Sequence, residues 1–549
     1  MFTPSLLDRH NAQRHLRHLA QQLPALRPNL TRIAPRIVTT IGRIPRLRTT
    51  LSRWIINDFA YATPPRPRPL SLASDYTTWT SLTDRSYSGR HLPPSTLDEH
   101  DLPTAEEVLN LFRREHETKS TDTSATFMFF AQWFADAFLR TNHRNPCKNT
   151  STQEIDLCQI YGLRPTKTHI LRSHAGGRLK SQFIDNEEYP PFLFTPRKEG
   201  APLTIEDEFQ TLFNEQSVFR ILSRIPDSAA DRQNREDKTF ATGLEYGNTT
   251  IGHTILNTIF LREHNRIADI ISDENPNWEE SRKFETARNV MIVLLIKVVV
   301  EDYIRHIAPF DFPIKTVPFV AENEQWNRSN WAAIEFNLLY RWHSLVPETI
   351  GTEPDQLQYA DFLHNNPIVI NRGIEDLLTT CTQTHSGRLG LLNTPWFLTE
   401  PPADDHPSAE QRTIHLMRKA HLKPYNNYRQ AFGLKPLNSF EELTGNLDIQ
   451  QRLKRLYSNI DNLEWYVGIF AEDYPDYRMM GDLMTNMVAN DAFTQAFTNP
   501  LLAKKVFNAD TFTPTGMDII ESTHTLQQIV ERNSHHPERV SASFACKER

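Results

Sequence analysis

The stretch that most constrains this chain is Glu335-Phe-Asn-Leu-Leu-Tyr340-Arg-Trp-His343-Ser-Leu-Val-Pro347. Its apolar residues recur at spacings of three and four, and no glycine interrupts it before Gly351. That pattern predicts a buried helix that Pro347 brings to an end, because proline lacks the N–H the next turn needs. On such a helix Tyr340 and His343 share a face, with Cβ atoms roughly 5–6 Å apart. A metal held by His343 would then lie within electron-transfer reach of the Tyr340 ring. A lone histidine on an apolar helix is usually a satisfied core residue, so the rest of the chain has to decide between the two readings.

A chain of 549 residues can bury a large core, and we read it as one large helical domain plus an arm. Cys147, Cys158, Cys381 and Cys546 have no metal-like spacing and are too few for a disulfide framework, which predicts a reducing compartment. The longest apolar run, Val290–Ile296 followed after Lys297 by Val298–Val300, falls short of the ~20 residues that span a bilayer. The expected location is the cytoplasmic side of a membrane, peripheral or monotopic, with no secretion. Charge is unevenly spread: residues 1–70 hold twelve Arg, no Lys and only Asp8 and Asp58, about +10 in a chain of net −7. Residues 1–62 interleave those arginines with Leu, Ile and Trp between prolines, a pattern for short amphipathic helices on an anionic membrane surface. We prefer that reading to an import peptide or to a polyanion-binding arm that would take nucleic acid. Pro64-Pro-Arg-Pro-Arg-Pro69 reads as a stiff linker, residues 63–532 as the catalytic domain and 533–549 as a disordered tail.

Phe127–Leu139 reads as a second buried helix, rich in aromatics. Gln132 and Asp136 lie four apart on it, so two polar groups share one face of an apolar element. That arrangement is costly unless they meet each other, water or a cofactor. A neutral imidazole is a common axial ligand of haem iron, and haem oxidised by peroxide can take an electron from a phenol.

Five motifs occur together: Glu335–His343; Leu261-Arg-Glu-His-Asn-Arg266; Val300-Glu-Asp-Tyr303; Leu422-Lys-Pro-Tyr-Asn-Asn-Tyr-Arg429; and Asn459-Ile-Asp-Asn-Leu-Glu-Trp-Tyr466. In order and separation they resemble the prostaglandin-endoperoxide synthases (cyclooxygenases) and related fatty-acid dioxygenases of the animal-type haem peroxidases, over roughly residues 70 to 530. The resemblance implies a mainly α fold, a haem peroxidase-like catalytic domain, haem b as cofactor, and an unsaturated fatty acid, O2 and peroxide as reactants. It also implies a membrane-binding arm and is compatible with a homodimer. By the same resemblance His343 is the iron ligand and Tyr340 the radical-bearing phenol. Gln132 and Asp136 face the distal side, Tyr246 contacts haem, and Tyr303, Tyr466 and Asn337 support the site from behind. Phe310, Ala492 and Phe493 fall at the substrate channel.

Four departures stand out. The family's distal histidine is Asp136 here, a weak base unless burial raises it, with His253 a nearby candidate to compensate. The mouth tyrosine is Phe310, and no arginine aligns without a shift with the one that pairs the fatty-acid carboxylate, although Arg53 is near. Ala492 stands where the cyclooxygenases have the serine that aspirin acetylates. The expected activity is a cyclooxygenase-type dioxygenase acting through a tyrosyl radical. The alternatives are a haem peroxidase or oxygenase for a non-lipid substrate, and a catalytically weakened haem-binding protein.

Overall fold

The structure, a computed structural model, describes residues 44–63 and 78–547 except 98, 143, 147, 199, 227–230, 309–311, 328–331 and 402–406. Most of the arginine-rich arm, the proline linker and Phe310 therefore lie outside the described residues. What is described is mainly helical, with three short antiparallel two-stranded ladders among the described residues.

The helices that position the site are α1 (Pro45–Ala60), α2 (Ala125–Phe138), α3 (Ile251–Glu274), α4 (Glu280–Val298), α5 (Ile334–Leu339), α6 (Ala409–Lys419), α7 (Trp465–Ala471) and α8 (Asp482–Phe497). α3 is buried on nearly every face, which a helix tolerates only when its polar residues are satisfied. Glu263 is held by Arg266, Arg532 and Asn533, and Arg262 by Glu187. The charged Arg262–Arg266 run thus forms an interior ion-pair lock. α2 begins at a Ser124 cap, whose hydroxyl accepts from the Phe127 N–H. Trp133 Nε1 then donates to Asn257 Oδ1 of α3 at 2.8 Å and so fixes the rotation of α2 on its neighbour. Gln132 and Asp136 remain on a half-buried strip beside that contact.

α4 runs on through a π turn, Val299–Tyr303, into a last helical turn, Ile304–Ile307. The extra residue per turn reorients the end of the helix, where Tyr303 sits. α1 lies on α8, with Asn490 Nδ2 donating to the Phe59 and Ala60 carbonyls. Its Ile55 and Ile56 are buried, while Arg46, Leu47, Arg53 and Trp54 face outward.

The segment expected to be a free tail, 533–549, is packed as far as residue 547. Val540, Ala542 and Phe544 are buried, and the Ser124 and Cys546 N–H groups bond to Phe544 O and Asp122 O. Phe544 meets Phe127, Phe130 and Tyr303. Its polar sequence hid three apolar residues at alternate positions, Val540, Ala542 and Phe544, which is the signature of an extended segment with one face inward.

Three buried histidines give the fold an acid limit. Burial pushes His264 and His364 down to about 3 and His306 to about 4. His264 is held neutral between the Tyr161 hydroxyl and the Gly177 carbonyl. Below pH about 6.5 the unfolded chain takes up protons that the folded chain refuses, so stability falls with pH by about 1.4 kcal/mol per unit for each such histidine. Burial pushes the Glu154 and Asp302 carboxyls up to about 7 and about 6, and their protonation in the folded chain offsets the histidines above pH about 4.5, so thermal melts should show Tm falling most steeply between pH 4.5 and 3.5. A Tm flat down to pH 3.5 would contradict neutral burial.

Candidate active site

The helix expected to run to Pro347 ends at Leu339. Tyr340 caps it, and a 3-10 turn covers His343–Leu345. Tertiary contacts outweigh helix propensity here. Trp342 stacks on Tyr340, with centroids 4.6 Å apart, and lies parallel to Phe127 at 6.1 Å, while His343 turns toward α6. Tyr340 and His343 are therefore not neighbours on a helix face. They still line one cavity of about 270 Å³, together with Gln132, Asp136 and Asn337. Phe129, Phe362, Leu363 and Phe397 supply an apolar wall.

Behind His343 stands Glu410, buried and with both oxygens used. Oε2 bonds His343 Nδ1 at 2.7 Å, and Oε1 accepts from the Tyr466 hydroxyl at 2.7 Å. Burial, reinforced by the Glu410 charge, pushes the Tyr466 phenol well up, so it remains a donor. An imidazole with one nitrogen fixed by a carboxylate and the other facing a cavity is arranged as a metal ligand. Among the described residues no three His, Cys, Asp or Glu groups converge as a cage for a bare ion. A single imidazole fits a metal whose other ligands come with it, as in a porphyrin.

Across the cavity, Asp136 Oδ2 meets His253 Nε2 at 3.1 Å, and His253 Nδ1 meets Thr250 Oγ1 at 2.9 Å. Burial pushes the Asp136 carboxyl up, but the His253 hydrogen bond and the positive charges of His253, Arg224 and Arg140 outweigh it and hold the group below its ordinary value. The raised value that would make Asp136 a better base is not found. Its proton affinity is instead tied to a buried imidazole partner.

Burial pushes the Tyr340 phenol well up, and the Asp491 charge adds to that. It stays a neutral O–H, so loss of an electron must be coupled to loss of its proton. Tyr303 is fully buried and near enough to Tyr340 for the two phenols to influence each other. Its hydroxyl nonetheless makes no hydrogen bond of full geometry among the described residues. Asn337 donates to Thr141 Oγ1 and accepts from Arg341.

Other expected residues lie elsewhere. Tyr246 is off the cavity wall, with the Arg224 and Arg140 guanidiniums 4.1 Å and 4.8 Å from its ring centre. Ala492 and Phe493 are buried on α8, where Phe493 packs on Phe59 at 6.0 Å, and neither lines the cavity. Glu410 was missed. Its Ser408-Ala-Glu-Gln411 context announces a capping box and a helix start, but nothing in it marks a buried carboxylate.

Comparison with known proteins places this geometry. The profile described as animal haem peroxidase matches residues 140–545. Mouse prostaglandin G/H synthase 2 is 30% identical over 508 residues, covering 90% of this chain and 78% of that protein. Mouse prostaglandin G/H synthase 1 is 30% identical over 485 residues, covering 86% and 74%. Among solved structures, the fatty acid alpha-dioxygenase of Oryza sativa superposes with a TM-score of 0.67 at 16% identity, covering 95% of this chain and 98% of that one. Peroxidase A of Dictyostelium discoideum gives 0.63 at 19%, covering 84% and 93%.

Proposed function

Since the chain belongs to the animal haem peroxidase family, we propose that it is a haem-dependent dioxygenase of the cyclooxygenase type, oxygenating unsaturated fatty acids through a radical at Tyr340. The observation that carries this reading is the convergence of Tyr340, His343, Gln132 and Asp136 on one cavity, with His343 braced by Glu410. His343 Nε2 would hold the iron, and a bound haem would supply oxidising equivalents drawn from peroxide. Asp136, linked to His253, is the group on the opposite wall able to accept and return a proton. Tyr340 gives up an electron and its proton together. Its phenoxyl then takes a hydrogen atom from an activated CH2 of the lipid, so that a C–H bond breaks and an O–H bond forms. O2 adds to the carbon radical, and the resulting peroxyl recovers a hydrogen atom from Tyr340, leaving a lipid hydroperoxide and the radical ready for another turn. The protein's share is to exclude water and to align the carbon chain.

The test is oxygen uptake by haem-loaded protein given linoleate and a trace of hydroperoxide. Uptake of many O2 per peroxide added supports the reading. A His343-ligated haem spectrum with no uptake would favour the second reading, a haem-binding protein with weak peroxide turnover, which the depressed, His253-bound Asp136 favours.

For location, among the described residues no helix is long and apolar enough to cross a membrane. The outward face of α1, with Trp54 56% exposed beside Arg46, Leu47 and Arg53, supports peripheral attachment to an anionic leaflet. Sedimentation with phosphatidylserine vesicles should carry the protein down and fall several-fold for Trp54→Ala. Equal pelleting with neutral and anionic vesicles would count against it.

A further inference from the structure

The cavity wall reaches the protein surface through a cluster of aromatic rings. Tyr359 and Phe397 line the cavity, and Trp396, next to Phe397, is 64% exposed. The three rings touch. Tyr359 lies flat on Phe397, with centroids 3.7 Å apart and planes 15° from parallel. Trp396 stands steeply inclined to both, 5.9 Å from Tyr359 and 5.7 Å from Phe397. Two short helical turns hold them. Trp396–Thr399 is closed by the Glu400 N–H on the Trp396 carbonyl at 2.7 Å, and the buried Thr399 hydroxyl donates to the same carbonyl. Tyr359–Phe362 is capped by the Asp361 carboxylate, which accepts from the Gln358 N–H at 2.8 Å. An indole held in water beside other rings leaves apolar surface exposed without gain to the fold. Indole and phenol give up one electron far more readily than benzene does. Trp396 and Tyr359 are therefore the oxidisable members of the cluster, one in water and one on the cavity wall. Tyr340, by contrast, stacks on Trp342, which is buried.

We propose that Trp396 and Tyr359 form an electron port, a surface site at which an electron-rich aromatic donor that does not enter the cavity is oxidised by one electron. The port rests on the peroxide-driven oxidation proposed above and adds a second substrate class to it. An electron leaves Tyr359 for the cavity while its O–H proton leaves for water, which a half-buried phenol can reach. Trp396 refills Tyr359 by losing an electron and its indole proton, and the phenol takes a proton back from water. The donor, docked against the exposed indole, refills Trp396 in the same way. Each hydroperoxide takes up two electrons and two protons and becomes an alcohol and water, so two donors are each oxidised by one electron.

Two measurements on the full chain separate the port from the peroxide reading. In the first, zinc protoporphyrin is bound in place of haem and oxidised by light with a cobalt(III) ammine as electron acceptor, which needs no peroxide. Peptide mapping by mass spectrometry should find oxidised Trp396 severalfold more abundant than oxidised Trp79, which is 79% exposed. Tyr359→Phe should erase that excess. In the second, haem-loaded protein is given a hydroperoxide and ABTS, a bulky aromatic disulfonate. ABTS oxidation should fall by ~10-fold or more in Trp396→Phe and in Tyr359→Phe, while O2 uptake with linoleate in Trp396→Phe stays within ~2-fold of wild type. Trp396→Phe, at an exposed position, guards against misfolding, and Tyr359→Phe keeps the stack on Phe397. Equal oxidation of Trp396 and Trp79 in the light, or ABTS turnover unchanged in both variants, overturns the port. Selective oxidation of Trp396 in a protein that turns over neither hydroperoxide nor ABTS would leave the port standing and remove the peroxide reading.

Discussion

Replacing Tyr340 by Phe is expected to abolish lipid oxygenation while leaving haem binding intact. Phe fills the same space, so the stack with Trp342 and the edge contact with Phe336 survive. What is lost is an O–H that can be broken to make a radical. Without it the cavity loses the phenol that takes a hydrogen atom from the lipid in the proposed reaction, and O2 uptake should fall by ~100-fold or more. Peroxide consumption, which draws on Asp136 and the iron ligand instead, should change by no more than ~3-fold. The split between the two rates is the diagnostic. If both fell together, Tyr340 would be a structural support for the cavity.

The second large effect is expected at Glu410. Glu410→Gln keeps the length of the side chain and removes its charge. The amide can still accept from Tyr466, but it no longer draws the Nδ1 proton of His343 toward a carboxylate. Loss of such a partner behind a metal-bound histidine typically costs ~10–100-fold in affinity or activity. Haem should bind more weakly, and its reduction potential should rise, because a less basic imidazole stabilises ferric iron less. Spectroelectrochemical titration of wild type beside Glu410→Gln reads this directly. An unchanged potential would show that the carboxylate only fills space.

These two residues mark how far the sequence could be read. Tyr340 is legible because its motif is dense and aromatic, and Gln132 and Asp136 because a polar pair four apart on an apolar helix has to face something. Glu410 is not, since a carboxylate near the start of an amphipathic helix looks solvated until α6 is docked. The helix expected through His343 stops at Leu339 for a related reason. Its periodicity is real, but the pull of Phe127 on Trp342 and of Glu410 on His343 comes from distant segments. The same holds for Phe544, whose burial depends on the aromatic cluster around Phe127 and Tyr303. Ala492 and Phe493, given a place at the channel by resemblance alone, lie on α8 away from this cavity, where the packing of α1 on α8 sets Phe493 against Phe59. Local pattern predicted which faces were polar, and long-range packing decided what those faces meet.

In the proposed reaction a phenoxyl radical at Tyr340 begins lipid oxygenation. The most direct measurement is freeze-quenched electron paramagnetic resonance of haem-loaded protein mixed with a lipid hydroperoxide, then anaerobically with linoleate. A tyrosyl signal should form and be replaced by a carbon-centred lipid radical, with both absent in Tyr340→Phe. Lipid oxygenation proceeding in Tyr340→Phe with the same radical signals as wild type would contradict it.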